Sequence, residues 1–212
     1  FHVCLRSLLG GTHRDLELIL VARTPASSAA AKQLVEPQEG VKHILAPEEM
    51  SPGEALNLGC ASATGTFVLL SSDDVIYPRG TVAKLLALLS TRPEWGLVGP
   101  RCAYAQGAQG LPPGTAELME SVEDFAWFWH EAEAGASKSV SVLGDFCLLA
   151  RRDFMLSLGG VDPTFAPGTH RGMDLCMATA QVGREVGLAQ DVVVHRLAPQ
   201  LDASAQDEAE ML

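Results

Sequence analysis

The chain has 212 residues, 47% of them hydrophobic and 19% charged, which is the balance of a globular domain with a sizeable core. Its formal net charge of −11 argues against binding nucleic acid or an anionic membrane surface, although a bound metal can bring an anionic ligand to it. No apolar run reaches the roughly eighteen residues of a membrane-spanning helix, so no integral membrane segment is predicted.

The cysteine pattern favours a reduced setting. The five cysteines are widely spread, and no Cys-x-x-Cys pair occurs, so neither a zinc ribbon nor a disulfide framework is indicated. The first residues also lack the charged and then apolar layout of a signal peptide. We therefore predict a cytoplasmic protein whose cysteines are small core residues.

The first third of the chain alternates between predicted helices and strands. The predicted elements are a helix over 3–9, a strand over 16–21, a helix over 29–35, a strand over 41–45, a helix over 52–63 and a strand over 67–70. The start of the helix at 52 is the best defined, because Ser51, Pro52 and Glu54 form the pattern of a capping box.

The remaining elements continue this alternation. They are a helix over 80–90, a strand over 96–99, an irregular loop over 101–114, an aromatic-rich helix over 117–134, strands over 139–143 and 146–150, helices over 152–158 and 173–182, and strands over 185–188 and 192–195. Such alternation predicts an α/β domain with a doubly wound, mainly parallel sheet. Because doubly wound domains normally open with a strand and this chain opens with a helix, we expect the domain to begin ahead of residue 1.

The strongest chemical signal lies at the end of the strand over 67–70. Its continuous apolar run is typical of a strand buried on both faces of a parallel sheet, and it ends in Ser71, Ser72, Asp73 and Asp74. Ligands of open α/β sheets bind beyond the carboxyl ends of strands, where two carboxylates can hold a divalent cation. The alternative is that the two acids cap the next helix or turn.

Three stretches carry further motifs in a fixed order. Residues 57–74 hold N-x-G-x-x-x-A-x-G before the strand and its acids, residues 144–165 hold an arginine pair and Gly-Gly-Val-Asp, and residues 173–195 hold Met-Asp-Leu, a glycine and Val-Val-Val-His. Together they resemble the family 2 glycosyltransferases of the GT-A fold. The resemblance implies one GT-A-like domain over 1–201 that lacks the first strand of the family, followed by an acidic tail over 202–212.

The resemblance also implies an activity. Family 2 enzymes transfer a sugar from a nucleotide-diphosphate sugar to an acceptor hydroxyl, here an unknown saccharide, lipid or protein, and the anomeric carbon inverts. A Mn²⁺ or Mg²⁺ ion neutralises the leaving diphosphate, and a carboxylate takes the proton of the acceptor. The fold is then a mainly parallel mixed sheet flanked by helices, and a neighbouring domain or partner chain is possible.

The family roles carry over to named positions. Asp73 and His195 correspond to the metal ligands, and Asp174 is the predicted base, with Asp145 and His170 as lesser candidates. The donor-binding set comprises Asn57, Gly59, Ser72, Asp73 and Asp74. Without the family context, a helix-capping or satisfied core histidine explains His195 as well as a metal ligand does.

Several positions depart from the family pattern and keep other hypotheses open. Ser71 replaces the first acid, Ala22-Arg23 replaces an acid of the second strand, and Arg171-Gly172 replaces the acidic pair that supplies the base. The arginine expected farther along is Met177. A glycosyltransferase-like scaffold that has lost catalysis is therefore the alternative, and a different nucleotide-binding α/β domain is a weaker one.

Overall fold

A mixed β-sheet with helices on both faces forms the body of the protein in the computed structural model, which describes residues 2–11, 15–35, 41–115, 121–166 and 169–197. The helices are α1 (His2–Leu9), α2 (Pro25–Val35), α3 (Pro52–Ser62), α4 (Thr81–Thr91), α5 (Val122–Ala132), α6 (Arg152–Ser157) and α7 (Thr169–Gln181). The strands are β1 (Leu18–Ala22), β2 (Val41–Leu45), β3 (Phe67–Ser71), β4 (Val75–Ile76), β5 (Trp95–Cys102), β6 (Ser137–Val140), β7 (Cys147–Arg151) and β8 (Glu185–Arg196).

The strands form two sheets. Six of them are ordered β3-β7-β5-β8-β4, with β6 also paired to β8, and β1 and β2 form a separate parallel pair. Because β7 is antiparallel to both β3 and β5, and β5 is parallel to β8, the strands β3, β5 and β8 run in one direction. Their carboxyl ends, at Ser71, Cys102 and Arg196, lie at one edge of the sheet, which we call the carboxyl edge.

The core lies in two layers, one on each face of the larger sheet. Strand β3 contributes to both, because Val68 and Leu70 pack in the layer of α3, α6 and α7, while Phe67 and Leu69 pack against the layer of α1 and α4. Each fully buried leucine stabilises the fold by roughly 1.5–3 kcal/mol. The predicted α/β fold, with a mixed sheet flanked by helices, is confirmed.

The local environment of β3 differs from the prediction. We expected a strand buried on both faces within a parallel sheet, but β3 pairs antiparallel with β7, and only alternate residues are fully buried. The apolar run follows from contact with both core layers and not from parallel neighbours on both sides.

The capping box of α3 is confirmed. The Ser51 hydroxyl accepts a hydrogen bond from the backbone N–H of Glu54, and the Glu54 carboxylate accepts one from the backbone N–H of Ser51. Two unpaired donors of the first helical turn are thereby satisfied. The tight packing of α3 against the segment after α6 follows from Gly53, where a Cβ would lie 2.6 Å from the Cα of Pro163.

Two helices begin earlier than predicted. Helix α2 begins at Pro25, since proline suits the first helical position, and reciprocal hydrogen bonds between Thr24 and Ser27 cap its first turn. Helix α7 begins at Thr169 and not at 173, so Arg171 and Gly172 are helical. Gly172 is needed in this helix because a Cβ there would lie 2.3 Å from the carbonyl oxygen of Leu143.

The last strands are longer than predicted. The two strands expected over 185–188 and 192–195 are one strand, β8, and β5 has eight residues where four were expected. A register shift at Pro100 and Arg101 lets both strands continue past the polar residues of β8. Strand β4 was not predicted, because its two residues obtain their ladder only from β8.

The cysteines behave as predicted. All five are free and buried, and burial raises the pKa of each thiol, that of Cys147 to about 12. Within the described ranges, no helix has both the length and the apolar character needed to cross a bilayer. The predicted acidic tail over 202–212 and the first residues of the helix predicted over 117–134 lie outside the described residues.

Candidate functional site at the carboxyl edge

The carboxyl edge brings most of the predicted site residues into one region. The turn after β3 carries Asp73 and Asp74, and the end of β8 carries His195. The backbone N–H of Ser72 donates a hydrogen bond to the carbonyl oxygen of Phe146 at 2.9 Å. This bond places the acidic turn directly beside Asp145, which precedes β7.

Asp74 is fixed by a cation from the last strand. Its Oδ2 accepts a hydrogen bond from Nε of Arg196 at 2.9 Å, and its backbone oxygen accepts one from the N–H of Leu197 at 2.9 Å. The Arg196 guanidinium also lies 5.6 Å from the ring centre of Phe146. Asp74 does not cap the next helix, since α4 has Gly80 at its N-cap and no side-chain capping bond. The ion pair instead joins the turn after β3 to the end of β8.

His195 lies one residue before Arg196, in register with Ile76 of β4. Its ring meets Tyr104 edge-on at a centroid distance of 5.3 Å, and burial lowers its pKa. The imidazole is therefore neutral at neutral pH, the form that binds a metal. Because side chains alternate along a strand, His195 and Arg196 point to opposite faces, so the imidazole leaves the strand on the face away from the Asp74 ion pair.

The side chains at this edge offer the donor types that a divalent cation takes, but the imidazole of His195 and the Asp74 ion pair lie on opposite faces of β8. Oδ1 of Asp74 and Nδ1 of His195 are both buried without a hydrogen-bond partner, and Asp73 is exposed on the same turn. Across the described residues, no group of three His, Cys, Asp or Glu side chains is placed to hold a metal. A preformed cage is thus lacking, but Mg²⁺-type ions are commonly held by one or two carboxylates and the oxygens of substrate phosphates.

Ser71, which replaces the first family acid, belongs to a neutral hydrogen-bond network. Its hydroxyl accepts a hydrogen bond from the Tyr77 hydroxyl at 2.7 Å and lies 3.8 Å from Sγ of Cys4 in α1. Burial raises the pKa of Tyr77 well above its ordinary value, so the phenol stays protonated. The network has no charge to offer a nucleotide or a metal.

Asn57 and Gly59 have packing contacts. The Asn57 amide donates to the carbonyl oxygen of Val161 at 2.8 Å and accepts from its N–H at 2.9 Å. A Cβ on Gly59 would lie 3.3 Å from Cγ2 of Val21, so the glycine lets α3 approach β1. Donor binding by these two residues stays a prediction.

Asp145, one of the candidates for the base, forms a buried ion pair with Arg171. Nε and Nη2 of Arg171 lie 2.6 and 2.5 Å from Oδ2 of Asp145, and the side chains are only 5% and 7% exposed. Nη1 of Arg171 is buried without a partner. Asp174 lies one turn farther along α7 and is half-buried, and His170 is exposed. Arg171 thus stands at a position where the resemblance implies an acid, and the Asp145 carboxylate balances its charge.

The aromatic helix α5 is divided between core and solvent. Phe125 is buried and stacks on Trp129 at 5.9 Å, and the Trp129 indole donates to the carbonyl oxygen of Gln190 at 2.8 Å. Trp127 and Phe128 are 67% and 62% exposed. Phe125 and Trp129 therefore pack inward, and Trp127 and Phe128 lie on the surface.

The sequence comparison decides the family. The sequence model of glycosyl transferase family 2 matches residues 2–154. The chain belongs to glycosyl transferase family 2. The predicted membership is thereby confirmed. No curated protein matches the chain by sequence.

Solved glycosyltransferase structures share the fold of this family 2 domain. A mannosyltransferase from Pyrobaculum calidifontis, in complex with GDP-Man and Mn²⁺, aligns with a TM-score of 0.68 at 20% identity over 96% of this chain and 54% of its own. GalNAc-T7 with UDP, GalNAc and Mn²⁺ gives 0.69 at 15% identity over 93% of this chain and 41% of its own. S. aureus TarS gives 0.66 at 11% identity over 92% and 55%. The chain thus spans about half the length of these proteins, and at such identities the likeness shows the fold alone.

Sequence reasoning missed Arg196 and Arg171 as charged partners of site residues. Arg196 directly follows the predicted ligand His195, so its place at the end of the last strand was available as a signal. Arg171 was noted only as the replacement of an acid. A substitution that inverts charge beside a buried carboxylate is a signal for an ion pair.

Proposed function

We propose that this family 2 domain transfers a sugar from a nucleotide-diphosphate sugar to an acceptor hydroxyl, with inversion at the anomeric carbon. The observation that carries the proposal is the position of Asp73, Asp74 and His195, which all lie at the carboxyl edge of one sheet. Ligands of open α/β sheets bind at this edge, and carboxylates with an imidazole suit a cation that holds phosphate.

The residues on the donor side of the proposed site have two different roles, metal binding and positioning of the turn. Asp73 and His195 would hold Mn²⁺ or Mg²⁺, which supplies the positive charge that stabilises the departing diphosphate. Asp74 is positioned by Arg196 and keeps the turn in place. This turn, together with Ser72, is the proposed contact with the donor. Asn57 and Gly59 belong to the same proposed donor site, and they pack α3 in its place.

Asp174 is our choice for the base that takes the acceptor proton. The buried guanidinium of Arg171 binds Asp145, and this ion pair would have to break before Asp145 could accept a proton. Asp174 is half-buried and lies three residues after Arg171 on the same helix. His170 remains the lesser candidate because it is exposed.

The donor and acceptor classes are proposed more broadly. The Pyrobaculum mannosyltransferase is a complex with GDP-Man and the GalNAc-T7 structure holds UDP, so both guanosine and uridine diphosphate sugars are candidate donors. The acceptor is a saccharide, lipid or protein hydroxyl. A single domain over 1–201, a cytoplasmic location and a neighbouring domain or partner chain stay predictions.

A scaffold function is the second candidate. It is favoured by Ser71 and Arg171, which remove acids from family positions, and by Trp127 and Phe128, which are exposed on α5. In that case the carboxyl edge would bind no nucleotide, and the domain would serve a partner through its surface.

Thermal unfolding with nucleotides separates the two candidates. A ligand that binds only the native state raises the unfolding temperature, so UDP- or GDP-sugars with Mn²⁺ are expected to stabilise the protein and to do so less with EDTA. Asp73→Asn should remove the stabilisation. The control Asp153→Asn, which removes the charge of an exposed side chain in α6, should not. No shift with any nucleotide would favour the scaffold.

A further inference from the structure

The outer face of helix α5 carries two exposed aromatic rings next to each other. Trp127 is 67% and Phe128 is 62% exposed, more than any other large hydrophobic side chain among the described residues. They follow the buried Phe125 by two and three positions, so the helical period turns them away from the sheet. Contiguous exposed apolar surface marks interaction sites, whereas scattered single residues do not.

Two carboxylates bracket the aromatic pair. Asp124 precedes Trp127 and Phe128 by three and four positions. Glu131 follows the same two rings by four and three positions, and residues at these spacings are neighbours on the surface of a helix. Both acids are exposed, and in the described part of the chain neither carboxylate has a hydrogen bond or a salt bridge. We call these four residues the aromatic–acidic patch, and its charges are available to a cation from outside.

An open groove between α4 and the turn after α5 continues this surface. Its volume is about 270 Å³, and its lining includes Leu88 and Ala136. Asp191 also lines the groove, and its Oδ2 lies 3.3 Å from Nδ1 of His130. Because His130 follows Trp127 by three positions, the groove opens on the Trp127 side of α5. Small-molecule pockets have volumes of roughly 300–1,000 Å³, so this groove fits one anchoring side chain and not a whole ligand.

The size and the charge of the aromatic–acidic patch limit what can cover it. The two rings expose on the order of 250 Å², whereas each side of a standard protein interface buries about 800 Å². The face is therefore too small for a stable dimer on its own. A second copy would also place acids against acids, because α5 contains three acids and no lysine or arginine, and the chain has a net charge of −11. An anionic membrane surface is repelled for the same reason.

We propose that the aromatic–acidic patch binds a short cationic amphipathic helix of a partner protein. A helix suits the patch because α5 presents its rings along a rod about 16 Å long, the length of three helical turns. Large apolar side chains of the partner helix pack on Trp127 and Phe128, and one of them enters the groove. Lysine or arginine side chains beside the apolar stripe pair with Asp124 and Glu131. When two helices pack, opposite charges beside the apolar seam select the partner and its orientation.

Binding of a designed helical peptide tests the proposal. The peptide has about 18 residues, long enough to form a helix, with leucines on one face and lysines on the other. Fluorescence anisotropy of the labelled peptide should show saturable binding that weakens as the salt concentration rises from about 0.05 to 0.5 M, since salt screens ion pairs. Two control peptides should bind at least tenfold more weakly. One has glutamate in place of every lysine, and the other has the same composition in an order without an apolar face.

Variants of the protein locate the binding surface. Trp127→Ala and Phe128→Ala should each weaken binding of the lysine peptide at least tenfold, and both variants should keep the wild-type circular dichroism because the rings are exposed. Asp124→Asn combined with Glu131→Gln should weaken binding severalfold and reduce its salt dependence. The matched controls lie on α6, where Leu156 is 41% exposed and Asp153 is also exposed, and Leu156→Ala and Asp153→Asn should leave the affinity unchanged.

Four results would overturn the proposal. The first is that the lysine peptide does not bind, and the second is that the lysine and glutamate peptides bind equally well. The third is unchanged affinity in Trp127→Ala and Phe128→Ala. The fourth is a different occupant, seen as a dimer in light scattering or as binding to phosphatidylserine vesicles, that Trp127→Ala abolishes. None of these measurements involves a nucleotide or sugar transfer, so the patch and the proposed function are tested separately.

Discussion

The side chain of Asn57 and the backbone of Val161 form two reciprocal hydrogen bonds, at 2.8 and 2.9 Å, across 104 positions of the sequence. The bonds join α3 to the turn that follows α6. That turn has no secondary-structure ladder of its own, so the Asn57 amide takes the place of a backbone partner. A motif position that the family resemblance assigns to the donor thus also holds the fold together.

Asn57→Ala should lower the free energy of unfolding by about 1–3 kcal/mol, because it leaves a partly buried N–H and C=O of Val161 without partners. Asn57→Asp should cost a similar amount, since a carboxylate still accepts the hydrogen bond from the Val161 N–H but repels the Val161 carbonyl oxygen. Urea unfolding measures both. If the variants are as stable as the wild type and lose only nucleotide binding, the structural role is wrong.

The glycine pair in the same turn offers a matched comparison. Gly159 and Gly160 both have positive φ, 84° and 80°, yet a Cβ on Gly159 meets nothing within 4 Å, while one on Gly160 would lie 2.1 Å from Oδ1 of Asn57. Gly159→Ala should cost about 1 kcal/mol from backbone strain alone. Gly160→Ala should cost clearly more, because it also breaks the Asn57 bonds. Equal losses of stability in chemical denaturation would contradict this account.

The buried pair of Asp145 and Arg171 should be among the most sensitive sites. Asp145→Asn leaves a guanidinium that is 5% exposed without its counter-charge, and breaking one partner of such a pair costs about 3–5 kcal/mol. The exposed pair of Arg151 and Asp153, at 3.5 Å, is the control, and Asp153→Asn should change stability by less than about 1 kcal/mol. Comparable effects in urea unfolding would show that burial does not decide the outcome.

Local patterns were sufficient for the parts of the fold that depend on neighbours in sequence. The capping box at Ser51 and Glu54 fixed the start of α3, and the ordered motifs indicated the family and the carboxyl edge. These signals can be read from the sequence because each motif consists of residues a few positions apart. The acidic turn after β3 was found for the same reason.

Long-range partners explain what the sequence did not reveal. Two strands were expected where β8 is continuous through Gln190 and Asp191. The backbone N–H of Gln190 donates to Ala136, its carbonyl oxygen accepts from the Trp129 indole, and the Asp191 carboxylate accepts from the N–H of Gly135. The pairing of Asp74 with Arg196 spans 122 positions and depends on β4 lying beside β8. No local pattern encodes which strands become neighbours, so the charged frame of the site appeared only in the structure.

Glu17 should make stability depend on pH in the acid range. Its hydrogen-bonded ion pair with Lys42, followed by its hydrogen bonds to Thr64, lowers its pKa from 4.5 to about 2 in the folded protein. The unfolded chain binds the proton more readily, so this stabilisation is present above about pH 4.5 and is lost as the pH falls toward 2. We expect a loss of about 1 kcal/mol, reduced by salt because the ion pair is partly exposed.

Glu17→Gln removes the titrating group and keeps most of the side-chain volume, so it isolates this contribution. The free energy of unfolding, measured in urea at about pH 6 and about pH 3.5, should fall less in Glu17→Gln than in the wild type. The decrease in the free energy of unfolding of Lys42→Met should lie between those of Glu17→Gln and the wild type, because this variant removes the ion pair but keeps both bonds to Thr64. Parallel pH dependence in all three proteins would mean that the Glu17 tie between β1 and β3 is absent in solution, because a free carboxylate there would titrate at its ordinary pKa.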